Sequence, residues 1–297
     1  MPGILFASHG AESADGAARV AVQLAARRGT TLSAVCALEP IRIVDGGYAE
    51  WYVPTLEEDE AVRASLRAAV ESQLSRCGAV ASVQVRTGPA VQEIADVARE
   101  SNAEVIVLGI GRHHFIERAL GNETALQLIQ VASTPVLAVP STMTSLPRRV
   151  VAAVDFSPTS FASVRTVAQW LVSGDVIHLV YAAGVWPGGF PATQRISAES
   201  VLQAAAQQIH APPGVKIERS VVEGDPAAQI LEIAATTAAD LIAMGSHGYG
   251  FWKRLTIGSV ASKVIRLSTT AVFVTPIGSV ASRESTTVER ALRAAPR

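Results

Sequence analysis

Residues 88 to 140 lie over residues 224 to 276 without a gap, and along that slide Gly88, Ile94, Ile106, Gly109, Ala125, Ile129, Val136 and Pro140 meet residues of their own kind. Conservative pairs such as Asp96 with Glu232 and Val97 with Ile233 fill much of the rest. The chain is therefore a tandem duplication, and whatever one half folds into the other half must fold into as well. The joint is the polar stretch Ser141 to Arg149, with Pro147 just ahead of the second copy's first strand. A length of 297 residues fits two domains. The expected division is 1–143 and 148–280, with 281–297 a Ser-, Arg- and Glu-rich tail.

Each copy alternates short apolar runs with stretches of helical spacing, which is the pattern of a parallel sheet covered on both faces. In the second copy the expected strands fall near 150–154, 176–181, 215–222, 240–244 and 271–275; in the first they fall near 3–7, 31–37, 81–86, 104–108 and 136–139. Apolar spacings such as Val164, Val167, Ala168 and Leu171 read as ordinary helix packing. The fold class expected is α/β: two tandem doubly wound domains, each with a five-stranded sheet.

Composition narrows the partners. A formal net charge of -1 and 5% aromatic residues offer neither the basic footprint that a nucleic-acid backbone needs nor a platform for stacking bases. No apolar stretch reaches the roughly 18 residues of a membrane span, and the opening residues lack a charged segment ahead of an apolar one, so a cytoplasmic location is expected. Cys36 and Cys77 begin no CxxC pair and read as inert thiols. His113 and His114 are the only histidine doublet and read as solvated.

The stretch that carries chemistry lies near the end. Leu241 to Met244 is a buried-strand run; Gly245-Ser246-His247-Gly248 follows, then nine residues, then Gly258-Ser259 leading into the helical spacing of Val260, Ala261, Val264 and Ile265. Glycines at a strand exit let backbone N–H groups approach a ligand closely, and a helix N-terminus presents unpaired amides and a partial positive charge, so the arrangement suits an anion such as phosphate. A strand-to-helix turn that needs glycine for its own geometry would leave the same trace.

The spacing Gly-x2-Gly-x9-Gly-Ser resembles the nucleotide signature of the universal stress protein family, whose ATP-binding members carry it. The resemblance implies ATP, alone or with magnesium, as ligand and a sheet order 3-2-1-4-5. That order sets the exits of strands 1 and 4 side by side, bringing Asp155 next to Gly245 across 90 residues. It implies a binding set of Asp155, Val180 (against adenine), Gly245, Ser246, His247, Gly248, Gly258, Ser259 and Val260. Ser262, Lys253 and Arg254 are additional candidates for phosphate. For Asp155 the competing reading is a cap on the next helix, which Asp-x-Ser-Pro would also serve.

The first copy departs from the signature. Ser8 stands where Asp155 stands, Arg112 replaces Gly248, Asn122-Glu123 replace Gly258-Ser259, and Gly111 and Gly121 are each displaced by one position. Only Gly109 keeps its register. Glu123 would repel polyphosphate and Asn122 can cap a helix, so the first copy reads as a retained fold with a degraded site. It is also longer between strands 2 and 3, the surplus falling around Asp45 to Tyr52, where Tyr48, Trp51 and Tyr52 cluster; Trp186 and Phe190 occupy the matching loop of the second copy.

Three classes of function follow: a cytoplasmic ATP-binding stress-response protein acting through conformation or partner choice, a nucleotide-free scaffold, and a slow ATPase or adenylyl-transfer enzyme. The enzyme reading needs a base to orient water and a metal-binding acid, a set the sequence does not display. Ser8-His9 and Ser246-His247 lack a carboxylate placed to orient the imidazole. The resemblance also implies that the halves pair as an internal pseudo-dimer through Val136–Val139 and Ala271–Val274, with a homodimer of whole chains as a further level. On that expectation, halves cut apart between them co-elute in gel filtration; two freely separating, folded halves would contradict it.

Overall fold

In the computed structural model, residues 3–39, 42–45, 48–51, 56–110, 122–246 and 257–279 are described. The chain divides into two compact units, Met1–Thr134 with Ala138–Ser145, and Pro135–Leu137 with Leu146–Arg297.

The second unit contains β8 (Arg149–Ala153), α5 (Pro158–Ala168), β9 (Val176–Ala182), α6 (Ala192–Gln208), β10 (Lys216–Val222), α7 (Pro226–Thr236), β11 (Leu241–Gly245), α8 (Ser259–Leu267) and β12 (Ala271–Thr275). Its strands stand in the order β10-β9-β8-β11-β12, the 3-2-1-4-5 arrangement, and all four pairings are parallel. Strands β11 and β12 are continuous apolar runs because both faces are covered: Leu241, Ile242, Ala243, Val272, Phe273 and Val274 are all inaccessible to solvent. Edge strand β10 instead carries Lys216, Glu218 and Arg219, charges that discourage pairing with another chain. Trp170 packs edge-on against Phe273, with centroids 5.0 Å apart.

Helix starts follow their sequence signals. Ser157 caps α5, its hydroxyl accepting from the Ser160 amide at 3.2 Å with Pro158 in the first turn, and Asp225 caps α7 in the same way from Ala228 at 2.8 Å.

The first copy repeats the plan with β1 (Ile4–Ala7), α1 (Asp15–Arg28), β2 (Leu32–Leu38), α2 (Leu56–Arg76), β5 (Ser82–Thr87), α3 (Ala90–Glu100), β6 (Val105–Ile110), α4 (Asn122–Val131) and β7 (Val136–Pro140), in the order β5-β2-β1-β6-β7. The duplication extends to backbone detail: Gly88 and Gly224, matched in the repeat, both enter their helices with positive φ, 154° and 133°. Between β2 and α2 the surplus residues form a small antiparallel hairpin, β3 (Arg42–Asp45) with β4 (Tyr48–Trp51), where the sequence had shown only a glycine-bearing loop. The side chains of its aromatic residues, and Tyr52, lie outside the described residues. So do His113, His114 and the tail from 280 onward.

The Arg19 guanidinium donates to the Ser141 and Met143 carbonyls at 2.8 and 3.1 Å, and the Gln23 amide to Thr144 at 3.0 Å. Leu146 and Pro147 are buried, and the Arg148 and Arg149 amides both donate to the Asp240 carboxylate. Cys36 is 1% exposed and burial pushes its thiol up to about 11, in keeping with an inert core residue. Among the described residues no helix is long and apolar enough to cross a membrane.

Candidate functional site

Strand register fixes the neighbourhood at the carboxyl ends of the second sheet. β8 and β11 pair Val150 with Leu241 and Ala152 with Ala243. Past the last of these pairs, the chain continues through Val154 and Asp155 on the β8 side and through Gly245 and Ser246 on the β11 side. The Ser246 carbonyl accepts from the Gly258 amide at 2.9 Å, which ties the start of α8 to the exit of β11. Asp155, Gly245, Ser246, Gly258, Ser259 and Val260 are thus brought to one end of the sheet, the carboxyl end of the strands, where open α/β sheets hold ligands. His247, Gly248, Lys253 and Arg254 lie outside the described residues.

At the β8 exit, one oxygen of Asp155 accepts from the Ser157 amide at 2.9 Å and the Ser157 hydroxyl at 2.5 Å. Asp155 therefore stabilises a tight turn, and the cap of α5 is Ser157 rather than Asp155. The other carboxylate oxygen accepts no hydrogen bond from the described residues and so keeps acceptor capacity. Inside this turn Phe156 has φ +63°, an uncommon conformation for a bulky residue. It is held there by the turn and by stacking on Tyr181, centroids 4.6 Å apart.

The glycines divide into two kinds. A Cβ on Gly245 would lie 2.4 Å from Thr159 Oγ1 and 2.9 Å from the Ser160 amide nitrogen, so β11 leaves the sheet in contact with the first turn of α5 and only glycine fits. Gly109 of the first copy is constrained alike, at 2.7 Å from Ala14 Cα and 2.9 Å from the Ser13 carbonyl. The one signature glycine that both copies keep in register thus serves helix-on-strand packing. Gly258, in contrast, has φ −58° and ψ 145°, which any residue adopts, and it begins α8 without a side-chain cap. The first amides of α8 therefore lack a protein acceptor from a capping side chain, and Ser259 is exposed beside them. Lys263, one turn on, is committed elsewhere: its ammonium lies 3.1 Å from Asp225, whose carboxyl is held below its usual range by the Ala228 amide and then by Lys263.

Val180 is 1% exposed, its side chain in the core and its carbonyl accepting from the Val154 amide at 2.8 Å. The residue that the sequence reasoning passed over is the next one. β9 runs on past its last pair with β8, Ala153 with Val180, while remaining paired to β10 through Tyr181 and Ala182. Tyr181 is half-buried there, its hydroxyl pushed up by burial and secondarily by the charge of Asp155. The alternation of an aromatic at the end of an apolar strand was the signal that could have found it.

The first copy shows what replaces this arrangement. The rung from the Ser8 amide to the Val35 carbonyl, 3.1 Å, corresponds to that from Val154 to Val180. The counterpart of Asp155 is therefore His9, and Ser8, aligned with Asp155 by sequence, corresponds to Val154; the misplacement is one residue. Ser8 Oγ donates to Gln73 Oε1 at 2.8 Å, and Gln73 Nε2 donates to the Ala11 carbonyl and to Asp15 at 2.9 and 2.7 Å. Gln73 is wholly buried, so this strand exit is tied to α2 by a satisfied internal network. Glu123 sits in the first turn of α4 as expected, while Asn122 is the helix's first residue rather than the one before it.

Two doubly wound α/β domains in tandem, each with a strand-4 glycine packed on its first helix and one with an uncapped helix at the strand exits, define a Rossmann-like repeat protein. The family described as Universal stress protein family matches residues 2–140 and 147–276, and the chain belongs to it. A universal stress protein of Mycolicibacterium smegmatis is 25% identical over 297 residues, covering 92% of this chain and 96% of the relative. Shorter stretches match universal stress proteins of Methanocaldococcus jannaschii, 47% identical over 53 residues, and Mycobacterium tuberculosis, 34% over 90; these span 31% and 30% of those relatives' lengths, and 18% and 30% of this chain. Among solved structures, a universal stress protein from Archaeoglobus fulgidus superposes with a TM-score of 0.69 at 20% identity, over 92% of this chain and 98% of that one, a likeness of fold.

Proposed function

We propose that the protein is an ATP-binding universal stress protein whose second copy alone holds the nucleotide. The observation that carries this reading is the convergence, through the Val150–Leu241 register and the Gly258-to-Ser246 hydrogen bond, of an uncapped helix start with the partly unsatisfied carboxylate of Asp155. An uncapped N-terminus suits phosphate, and a carboxylate with acceptor capacity left by the described residues suits a ribose hydroxyl donor. The helix amides would donate to one end of such a ligand and the carboxylate would accept from the other. Magnesium, where present, would be held by the phosphates with water rather than by a cage of side chains, since no cluster of three metal-ligating side chains occurs among the described residues. Mass spectrometry of the denatured purified protein tests this cheaply: carried-over ATP supports it, and its absence together with no uptake of added ATP favours a nucleotide-free scaffold.

Hydrolysis by such a site is expected to be slow. A helix start stabilises phosphate in the ground state as well as in the transition state, and uniform binding does not raise the chemical rate. Turnover by the purified protein should fall well below about 1 per second, the lower end for enzymes; a rate above that, retained through successive purification steps, would favour the enzyme reading.

A further inference from the structure

At the end of the second sheet opposite Asp155, the first residues of β8, β9 and β10 line a cavity of about 160 Å³. A cavity of roughly 150 Å³ takes a guest the size of benzene, so a ligand of about six heavy atoms fits. Strand register explains which side chains meet there. Arg149 pairs with Val176, and His178, two residues further along β9, pairs with Glu218. Paired residues, and alternate residues of one strand, share a face, so all four rise from the same side of the sheet. The turn after α7 supplies the remaining wall with Thr237 and Ala239.

The polar groups of this lining differ in what they have left to offer. The Arg149 amide donates to Asp240, but its exposed guanidinium makes no hydrogen bond or ion pair with a described residue. Glu218 Oε1 is paired with Lys216 at 2.5 Å, a contact that holds the carboxyl below its usual range, while Oε2 keeps acceptor capacity. His178 Nε2 lies 2.9 Å from Ser220 Oγ, and its Nδ1 is buried with no hydrogen-bond partner among the described residues. Burial lowers the pKa of this imidazole against the opposing charge of Glu218, so at neutral pH the ring is uncharged. The lining thus carries one positive group on β8 and one negative group on β10, with a neutral ring and Val176 of β9 between them. A simple anion would meet the repulsion of Glu218, and a simple cation that of Arg149. A ligand bearing both signs is complemented at both ends.

We propose that this cavity binds a small zwitterion of the α-amino-acid class, its carboxylate on Arg149, its ammonium on Glu218 and its short aliphatic body against Val176 and Ala239. The site is separate from the strand exits to which the nucleotide is assigned, and the inference does not depend on that assignment.

An NMR titration of the full chain tests it, following the ring signals of His178, which are assigned by their loss in His178→Gln. The probes are L-alanine, L-lactate, which has a hydroxyl in place of the ammonium, and ethylamine, which lacks the carboxylate. L-Alanine should shift the His178 signals to saturation, and the other two should bind at least about tenfold more weakly. Arg149→Gln and Glu218→Gln should each weaken L-alanine about 10- to 150-fold while melting near the wild-type temperature, since neither side chain is buried. A wild type whose His178 signals do not respond to L-alanine overturns the proposal. Lactate binding as tightly as alanine would make this an anion site and overturns the zwitterion. Wild-type affinity in either glutamine variant, or loss of alanine binding only together with a lowered melting transition, overturns the assigned contacts.

Discussion

Gly245→Val is expected to destabilise the second unit by about 1–3 kcal/mol or more, the usual cost of forcing extra atoms into a packed site. The clash is with backbone as well as side chain: the new Cβ would lie 2.9 Å from the Ser160 nitrogen, which the Ser157 cap holds in place, and 2.4 Å from Thr159 Oγ1, itself 3.0 Å from Ser157 Oγ. The branched carbons of valine add to this. Against a total stability of roughly 5–15 kcal/mol such a loss is large, and thermal unfolding without nucleotide will show it as a lowered transition. Gly109→Val should do the same in the first unit, where the Cβ would meet Ala14 and Ser13. A Gly245 variant that melts like the wild type and loses only ATP affinity would mean that this glycine serves the ligand instead.

Asp155→Ala should weaken ATP binding about 10- to 150-fold, from the loss of a charge-assisted hydrogen bond of roughly 1.5 to 3 kcal/mol. The same substitution also removes the acceptor for Ser157 and loosens the turn that holds Phe156 at φ +63°, so stability should fall with affinity. Asp155→Asn separates the two effects. Its side-chain oxygen can still accept from the Ser157 amide, so melting should stay near wild type while the charged interaction is lost. The matched change in the first copy, His9→Ala, and Glu123→Ala should leave affinity unchanged. Equal loss of ATP binding from Asp155→Ala and His9→Ala would place nucleotide in both halves.

The fold was legible because its signals are local and doubled. Apolar runs such as Leu241–Met244 could only be buried strands, Ser157-Pro158 and Asp225-Pro226 announced two helix starts, and the repeat transferred each reading to the other half. The hairpin at Arg42–Trp51 was not legible, since it has no counterpart in the second copy and its glycines read as loop. At the site, Asp155, Gly245, Ser246, Gly258, Ser259 and Val260 could be named from the sequence and lie at one end of the sheet, but why each is present could not be read there. Gly245 and Gly258 look alike as letters, yet one is required by α5 and the other by nothing in its own backbone. That difference depends on a contact across 85 residues of chain, between Gly245 and Ser160. The one-residue error at Ser8 has a similar origin: strand 1 lies outside the gapless repeat, and only the hydrogen-bond ladder reveals that His9 corresponds to Asp155. Tyr181 was passed over because the family pattern pointed to the adjacent valine, and strand alternation turns neighbours to opposite faces.

The most direct measurement is the stoichiometry of ATP by titration calorimetry on the full chain stripped of nucleotide. One ATP per chain is expected, with binding lost or strongly weakened in Asp155→Ala and intact in His9→Ala. Two per chain, or binding that survives Asp155→Ala and disappears with His9→Ala, would contradict the assignment of the site to the second copy; no binding at all would contradict nucleotide binding itself.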